Sequence, residues 1–138
     1  MIDLNGRIPN VMNFKWSEAL FLQSLGFHAF PQPDIVKNIL KSAWKMQFIR
    51  DEFGRPIKIH SWWRPKKYND IIKGAEKSAH IEGLAVDFSV EGLDCDEVRE
   101  RLEPKLEEWK IRMEDRPGTD WVHIDLREPG LSGRFFRP

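Results

Sequence analysis

The segment LAVDFSV at residues 84–90 constrains the fold more than any other, because it places a carboxylate inside a strongly apolar pattern. Bulky apolar side chains fill every second position from Leu84 onward, and this period of two predicts a half-buried β-strand. Asp87 falls between them and therefore projects from the opposite face of the strand. A buried carboxylate without a partner is costly, so we expect a cation beside Asp87.

Three other segments have the apolar spacing of amphipathic helices. The first covers residues 16–27, with Ser17 as its cap and Gly26 at its end. The second runs from Ile35 to about Asp51, with Asp34 as its cap and Gly54 as its stop. The third covers residues 93–109, starts near Asp94 or Asp96 and is broken or kinked at Pro104. Each boundary rests on residues that favour helix ends or cannot continue a helix.

Alternating segments predict three further strands, at residues 57–60, 109–114 and 120–126, with a turn at 115–119 joining the last two as a hairpin. The stretch 66–83 is mostly loop, with one helical turn around Tyr68 to Ile72. This order favours an α+β fold with a small antiparallel sheet packed with helices over a doubly wound sheet. A length of 138 residues fits one domain spanning 1–138.

Charge and composition exclude several classes of partner. The 22 basic and 22 acidic residues are interspersed, so we expect neither a nucleic acid nor a membrane as a partner. The amino terminus lacks the pattern of a secretory signal, and no segment approaches the roughly 20 apolar residues of a membrane span. We expect a monomer made in the cytoplasm, which would need another agent to release it. The single Cys95 excludes an internal disulfide.

Two histidines lie close in sequence to carboxylates. His80 precedes Asp87 by seven positions, with Gly83 allowing the chain to turn between them, and His123 follows Asp120 by three. Catalytic zinc takes three nitrogen, oxygen or sulfur ligands from the protein and leaves one position open. His80, Asp87 and His123 satisfy that count.

Further residues near these histidines could carry chemistry. A hydrolytic metal site also needs a general base that is not a ligand, and Asp120 is the candidate. Arg64, just after the strand at 57–60, could bind a carboxylate or carbonyl oxygen of a substrate. Asp125 either supports the histidine on its own strand face or forms an ion pair with Arg127 or Arg116.

The sequence also resembles a known family. SWWRP, SAHIEGLAVDF and DWVHIDLR are similar, in order and approximate spacing, to the S-x-x-R, S-x-H-x-x-G-x-A-x-D and W-x-H-x-D motifs of the M15 zinc peptidases. That family includes D-alanyl-D-alanine carboxypeptidases and phage endolysins that cut the peptide stem of peptidoglycan. The resemblance runs from about Asp34 to Arg127 and implies the hedgehog and D-Ala-D-Ala peptidase-like architecture.

The resemblance implies a role for each matching position. It makes His80, Asp87 and His123 zinc ligands, Asp120 the catalytic acid, Arg64 the group that polarises the scissile carbonyl, and Ser61 the start of the arginine motif. Apart from the resemblance, we expect most tryptophans to lie in the core or the cleft wall, although Trp63 and Trp121, which flank motif residues, could contact substrate. The pair Trp62-Trp63 departs from the small-then-aromatic pattern of the family, and a bulky Trp62 would narrow the cleft.

The leading hypothesis from the sequence is a zinc metallopeptidase, either a carboxypeptidase or an endopeptidase, that hydrolyses an amide bond in the peptidoglycan peptide stem. An aspartate at position 120 favours the endolysin-like members, so we expect a phage endolysin or a virion-associated lysin that acts on the cell wall after release. The alternatives are a virion structural or binding module that keeps zinc without turnover, and a cytoplasmic amidase or dipeptidase.

Overall fold

A computed structural model describes residues 1–138 and shows an α+β fold. The helices are α1 (Trp16–Leu20), α2 (Pro33–Phe53), α3 (Lys66–Ile71), α4 (Cys95–Leu102) and α5 (Leu106–Trp109), with a 3-10 turn at Glu103–Lys105. The strands are β1 (Phe21–Leu22), β2 (Phe27–His28), β3 (Ile57–Ser61), β4 (Ala85–Val90), β5 (Arg112–Glu114), β6 (Val122–Asp125) and β7 (Phe135–Phe136). No helix is long and apolar enough to cross a membrane.

Five of the strands form one sheet in the order β3-β4-β6-β5-β7, and β1 and β2 form a separate antiparallel pair. Every pairing in the larger sheet is antiparallel except that of β5 with β7, which is parallel. The α+β prediction is therefore confirmed, and the predicted β5–β6 hairpin is present. The strand β7 was not predicted, because two residues are too few to show the alternation of a strand.

The long helix α2 covers the apolar face of the sheet. It buries residues spaced three to four apart, including Ile39, Ala43 and Met46, in the same core cluster as Val86 and Phe88 of β4. The helix starts at Pro33, two residues earlier than predicted, and the side chain of Asp34 does not cap it. It ends at Gly54, which adopts the left-handed conformation expected of a helix stop.

The first predicted helix was too long. Only Trp16–Leu20 is helical, and the chain then turns into the β1–β2 pair, with Gly26 at a φ of 72° in the turn. The predicted cap Ser17 is not used: Glu18 instead accepts a hydrogen bond from the backbone N–H of Lys15 at 2.9 Å. Apolar residues at 16–27 fit either a helix or a short hairpin, and backbone pairing between Phe21–Leu22 and Phe27–His28 determines the outcome.

The third predicted helix is interrupted at its proline, as expected. Asp94 caps α4 by accepting a hydrogen bond from the N–H of Asp96 at 2.8 Å, and the chain tightens into a 3-10 turn around Pro104 before α5. Proline cannot donate the hydrogen bond that a continuous helix needs. The resulting α4–α5 unit buries Val98, Leu102 and Leu106 in the core.

The two faces of the central strands differ in polarity. Val86 and Phe88 of β4 are completely buried in the core, whereas Asp87 points to the other face, as the alternation predicted. Asp87 lies directly opposite His123 of β6 in the antiparallel register. All polar candidates on β4 and β6 therefore meet on one face of the sheet.

The loop before β4 is attached to α2 at Gly83. This glycine has a φ of 77°, and a Cβ at its position would lie 3.1 Å from Cγ1 of Ile39 and 3.3 Å from Cγ2 of Ile35. The hydroxyl of Ser42 donates to the Gly83 carbonyl at 3.0 Å and accepts from the indole N–H of Trp62 at 2.8 Å. Trp62 is 1% exposed, so the expectation that it narrows a cleft was wrong.

We predict that Gly83→Ala destabilises the protein more than Gly118→Ala. Both glycines have a positive φ, but no atom lies within 4 Å of a Cβ built at Gly118. Gly118→Ala is the control and should lower the free energy of unfolding by about 1 kcal/mol, because only the backbone conformation is strained. Gly83→Ala should cost roughly 2 kcal/mol or more, because the packing against α2 must also shift. Urea unfolding curves measure both, and equal costs would contradict the packing at Gly83.

Candidate metal centre

Three predicted ligands meet on the polar face of the sheet. One ligand atom from each of His80, Asp87 and His123 lies within 4.8 Å of the others. Nδ1 of His123 is 2.7 Å from Oδ1 of Asp87, and Nε2 of His80 is 3.2 Å from the same oxygen. His80 comes from the loop, Asp87 from β4 and His123 from β6, so the fold brings together residues up to 43 positions apart (123 − 80 = 43).

The orientation of His80 is fixed by a backbone carbonyl. Its Nδ1 lies 2.6 Å from the carbonyl oxygen of Trp62, which can only accept a hydrogen bond, so Nδ1 carries the proton. Nε2 then faces Oδ1 of Asp87 and the ring of His123. This atom is buried and has no hydrogen-bond partner. A buried imidazole nitrogen facing a carboxylate without a hydrogen bond fits a metal ligand.

His123 is held from its far side by Asp125. Oδ2 of Asp125 lies 3.1 Å from Nε2 of His123, which leaves Nδ1 directed toward Asp87. Asp125 is 1% exposed and forms a two-point ion pair with Arg112. Histidines that bind metals commonly donate their second ring N–H to a carboxylate in this way.

The proposed ion pairs of Asp125 with Arg127 or Arg116 do not form. The guanidinium of Arg127 pairs with Glu82 at 2.7 Å, and that of Arg116 lies 3.5 Å from Glu114. Only the backbone N–H of Arg127 reaches Asp125, at 3.2 Å. The partner of Asp125 is instead Arg112, which lies opposite it in the β5–β6 register. That partner could not be identified before the register of the hairpin was known.

The neighbouring ionisable groups at this site shift the pKa values of Asp87 and His123. Burial raises the pKa of Asp87, but the neighbouring His80 and His123 outweigh it and hold that pKa well below its usual range. Burial lowers the pKa of His123, yet hydrogen bonds to Asp125 and Asp87 raise it to about 9. The guanidinium of Arg64, 3.4 Å from Oδ2, supplies the cation expected beside Asp87, and His123 contacts Oδ1 at 2.7 Å. A metal ion held by Nδ1 of His123 would take the place of a proton on that nitrogen.

The donor set fits zinc. Two imidazole nitrogens and one carboxylate are the kind of ligands that catalytic zinc uses, and no cysteine lies among them. The candidate ligands are themselves buried or nearly so, which excludes bulk water from most of their surface. The structure therefore contains a three-residue site whose chemistry suits zinc.

Arg64 and Ser61 lie beside these residues. The Arg64 guanidinium donates from Nε to the hydroxyl of Ser61 at 3.0 Å, and its Nη2 lies 3.4 Å from Oδ2 of Asp87. A bulge between Ile59 and Ser61 shifts the β3 register at this point. Bulges next to functional sites often redirect a side chain. Ser61 therefore holds the arginine in place by accepting its N–H, and contact between Ser61 and a substrate stays a prediction.

Asp120 lies just before β6 and outside the group of ligands. It lines a surface cavity of about 360 Å³ together with Ser89 and Gly118. Ser89 lies on the same face of β4 as Asp87, and its hydroxyl is 2.8 Å from Nε2 of His60. Asp120 is thus beside the polar face but makes no hydrogen bond with the three candidate ligands.

The tryptophans predicted to contact substrate differ in exposure. Trp63 is 8% exposed, and its indole N–H donates to the carbonyl of Ile81 at 3.2 Å, so it supports the loop of His80 from within the core. Contact between Trp63 and a substrate stays a prediction. Trp121 is half-buried, and its backbone carbonyl accepts a hydrogen bond from Arg99 at 2.9 Å.

The sequence matches the model of a known protein family. Residues 13–125 match the family model described as Peptidase M15. The chain belongs to the M15 peptidase family. The resemblance predicted from the three motifs is therefore confirmed, and it extends to the amino-terminal α1 region. No curated protein matches the sequence.

Membership of the M15 family assigns a general activity. Its members are peptidases and typically use zinc, so the chain is a hydrolase of the peptidase type by family. The matched region contains all three candidate ligands as well as Arg64 and Asp120. It ends at Asp125 and leaves β7 outside the match.

We predict that His80→Ala removes a bound divalent metal from the protein, whereas His28→Ala does not. His28 lies on β2 and belongs to no group of potential ligands. Loss of one of three protein ligands leaves too few to hold zinc through dialysis. Elemental analysis of zinc-loaded, dialysed protein measures this difference. Equal zinc contents in the two folded variants would contradict the ligand assignment.

Proposed function

We propose that the protein is a zinc-dependent metallopeptidase that hydrolyses an amide bond in the peptide stem of bacterial peptidoglycan. The observation that carries this proposal is the buried Nε2 of His80, which has no hydrogen-bond partner and faces Asp87 and His123. Membership of the M15 family supports the same chemistry. His80 through Nε2, His123 through Nδ1, and the carboxylate of Asp87 would hold the ion.

A zinc ion held there would supply a Lewis acid next to the scissile carbonyl. Arg64 would donate hydrogen bonds to the carbonyl oxygen as negative charge develops on it. The Ser61 hydroxyl and the Asp87 carboxylate both contact the guanidinium, so its position is set before substrate binds. Preorganised donors of this kind stabilise a transition state more than the ground state.

Asp120 would act as the general base and then as the general acid. A base removes the proton of the attacking water, and the same group then protonates the leaving amine. Asp120 lies three residues before His123 and immediately before β6, where the sheet does not dictate its direction. It is near the polar face, because it lines a cavity with Ser89, which lies on the same face of β4 as Asp87.

The substrate and the biological setting follow from the motif resemblance. The three motifs are similar to those of carboxypeptidases and endolysins that cut the peptidoglycan stem, and aspartate at position 120 favours the endolysin-like members. We therefore propose a role in cell-wall degradation, as a phage endolysin or virion-associated lysin. It would act on the wall after release from the cell that makes it.

A second candidate function is a virion structural or binding module that keeps zinc without turnover. The position of Asp120 favours it, because this carboxylate contacts none of the three candidate ligands and lines a separate cavity with Ser89. On that hypothesis the unmodified, zinc-loaded protein binds peptidoglycan fragments but hydrolyses none of them.

We predict that Asp120→Asn lowers the rate of muropeptide hydrolysis by about 10²–10⁴-fold while the zinc content stays the same. The amide cannot accept the proton of the attacking water, yet Asp120 is not among the ligands. Asp115→Asn is the matched control, since Asp115 also lies in the connection between β5 and β6 and pairs with the exposed Arg137. Mass spectrometry of the products measures both rates. Full activity of folded Asp120→Asn would refute its role as the base.

Removal of the metal provides a separate test. We expect a chelator to abolish hydrolysis and added zinc to restore it, because the proposed Lewis acid is then removed and returned. The measurement is product formation from purified muropeptides before stripping, after stripping and after reloading. Hydrolysis that continues in protein shown to be free of metal would exclude the mechanism.

A further inference from the structure

The last strand of the sheet belongs to a part of the chain outside the family match. The match ends at Asp125, whereas β7 consists of Phe135 and Phe136. It pairs in parallel with β5, with Phe136 opposite Glu114 in the register. The carboxy-terminal segment therefore adds an edge strand next to the hairpin that carries His123.

This strand places an aromatic ring against Arg112. The guanidinium carbon of Arg112 lies 4.1 Å from the centre of the Phe136 ring. Arginine stacks on aromatic faces, and stacking restricts the plane of its guanidinium. From that plane Arg112 donates to both oxygens of Asp125, from Nε to Oδ1 at 2.7 Å and from Nη2 to Oδ2 at 2.9 Å.

The two-point ion pair fixes the Asp125 carboxylate beside a candidate ligand. The Asp125 side chain is 2% exposed and that of Arg112 is 17% exposed, so water competes little for this pair. Oδ2 of Asp125 then lies 3.1 Å from Nε2 of His123. The His123 ring also approaches the Phe136 ring edge-on, with centres 6.5 Å apart. A continuous series of contacts thus runs from Phe136 through Arg112 and Asp125 to His123.

We propose that Arg112 and Phe136 are positioning residues for the metal centre. They hold Asp125 so that it accepts the Nε2 proton of His123, and this presents Nδ1 of His123 to the ion. The inference rests on the proposed function only through the assignment of His123 as a ligand. It assigns to the carboxy-terminal strand, which lies outside the family match, a part in tuning metal affinity.

The proposal is tested by the zinc dissociation constant of the full chain, measured in competition with a chromophoric chelator. Arg112→Met keeps most of the side-chain length but removes the guanidinium that binds both oxygens of Asp125. We therefore expect the zinc dissociation constant to rise roughly 10- to 100-fold. Arg112→Lys, which keeps the charge, should recover part of this loss. Phe136→Leu keeps every charge and should raise the constant by roughly 2- to 5-fold.

The matched control is Arg134→Met. Arg134 also forms a short ion pair, with Glu107 at 2.7 Å, but that pair does not contact His123 or Asp125. We expect this variant to bind zinc as the unmodified protein does. A loss of affinity equal to that of Arg112→Met would show that the effect is one of general stability and would overturn the proposal.

A spectroscopic measurement separates positioning from a merely structural role. In the cobalt-loaded protein, the visible absorption bands report the ligand geometry around the metal. We expect them to shift in Arg112→Met and to return toward the original spectrum in Arg112→Lys. If Arg112→Met does not fold, Phe136→Leu takes its place in both measurements.

Two results would overturn the proposal in distinguishable ways. If the folded Arg112 and Phe136 variants keep the original zinc affinity and cobalt spectrum, the positioning role is wrong and the metal site stands. If His123→Ala binds zinc as tightly as the unmodified protein, His123 is not a ligand, and the proposed function fails together with this inference.

Discussion

The structure depends on the cross-strand pair of Asp87 and His123. The register of β4 with β6 places these residues directly opposite each other, and their side chains meet at 2.7 Å on the polar face. The same register places Val86 opposite Ile124 on the other face, where both are completely buried. A shift of one residue would expose the core and separate the two polar groups. The apolar core and the metal centre therefore specify the same alignment.

Each histidine at the centre has one ring nitrogen held by a group that is not a ligand. The Trp62 carbonyl holds Nδ1 of His80, and Asp125 holds Nε2 of His123. The remaining nitrogens converge on Asp87. This arrangement exists in the protein before any ion binds, so binding requires the loss of a proton from His123 but little rearrangement of side chains. Preorganisation of this kind is what distinguishes a functional site from a chance group of polar residues.

The sequence was sufficient to predict the parts of the site that depend on local pattern. Alternation in residues 84–90 indicated that Asp87 lies off the apolar face, and the motif spacing indicated His80 and His123 as its partners. The supporting groups could not be predicted in the same way. Arg112 reaches Asp125 only through the register of the β5–β6 hairpin, and the acceptor for His80 is a backbone carbonyl, which residue type does not identify.

Burial explains the other differences between prediction and structure. Trp62 departs from the family's motif pattern, which predicted a narrower cleft, but its ring is buried in the core. The segment 16–27 was assigned to one helix because its apolar spacing suits a helix, whereas the β1–β2 pairing ends α1 at Leu20. In each case a tertiary contact outweighed a local preference.

Anomalous diffraction from crystals of the zinc-loaded protein, recorded at the zinc absorption edge, would show whether His80, Asp87 and His123 hold one zinc ion. We expect one strong peak about 2.0–2.2 Å from Nε2 of His80, Nδ1 of His123 and a carboxylate oxygen of Asp87. A peak at another place, or a zinc ion bound through Nε2 of His123, would contradict it.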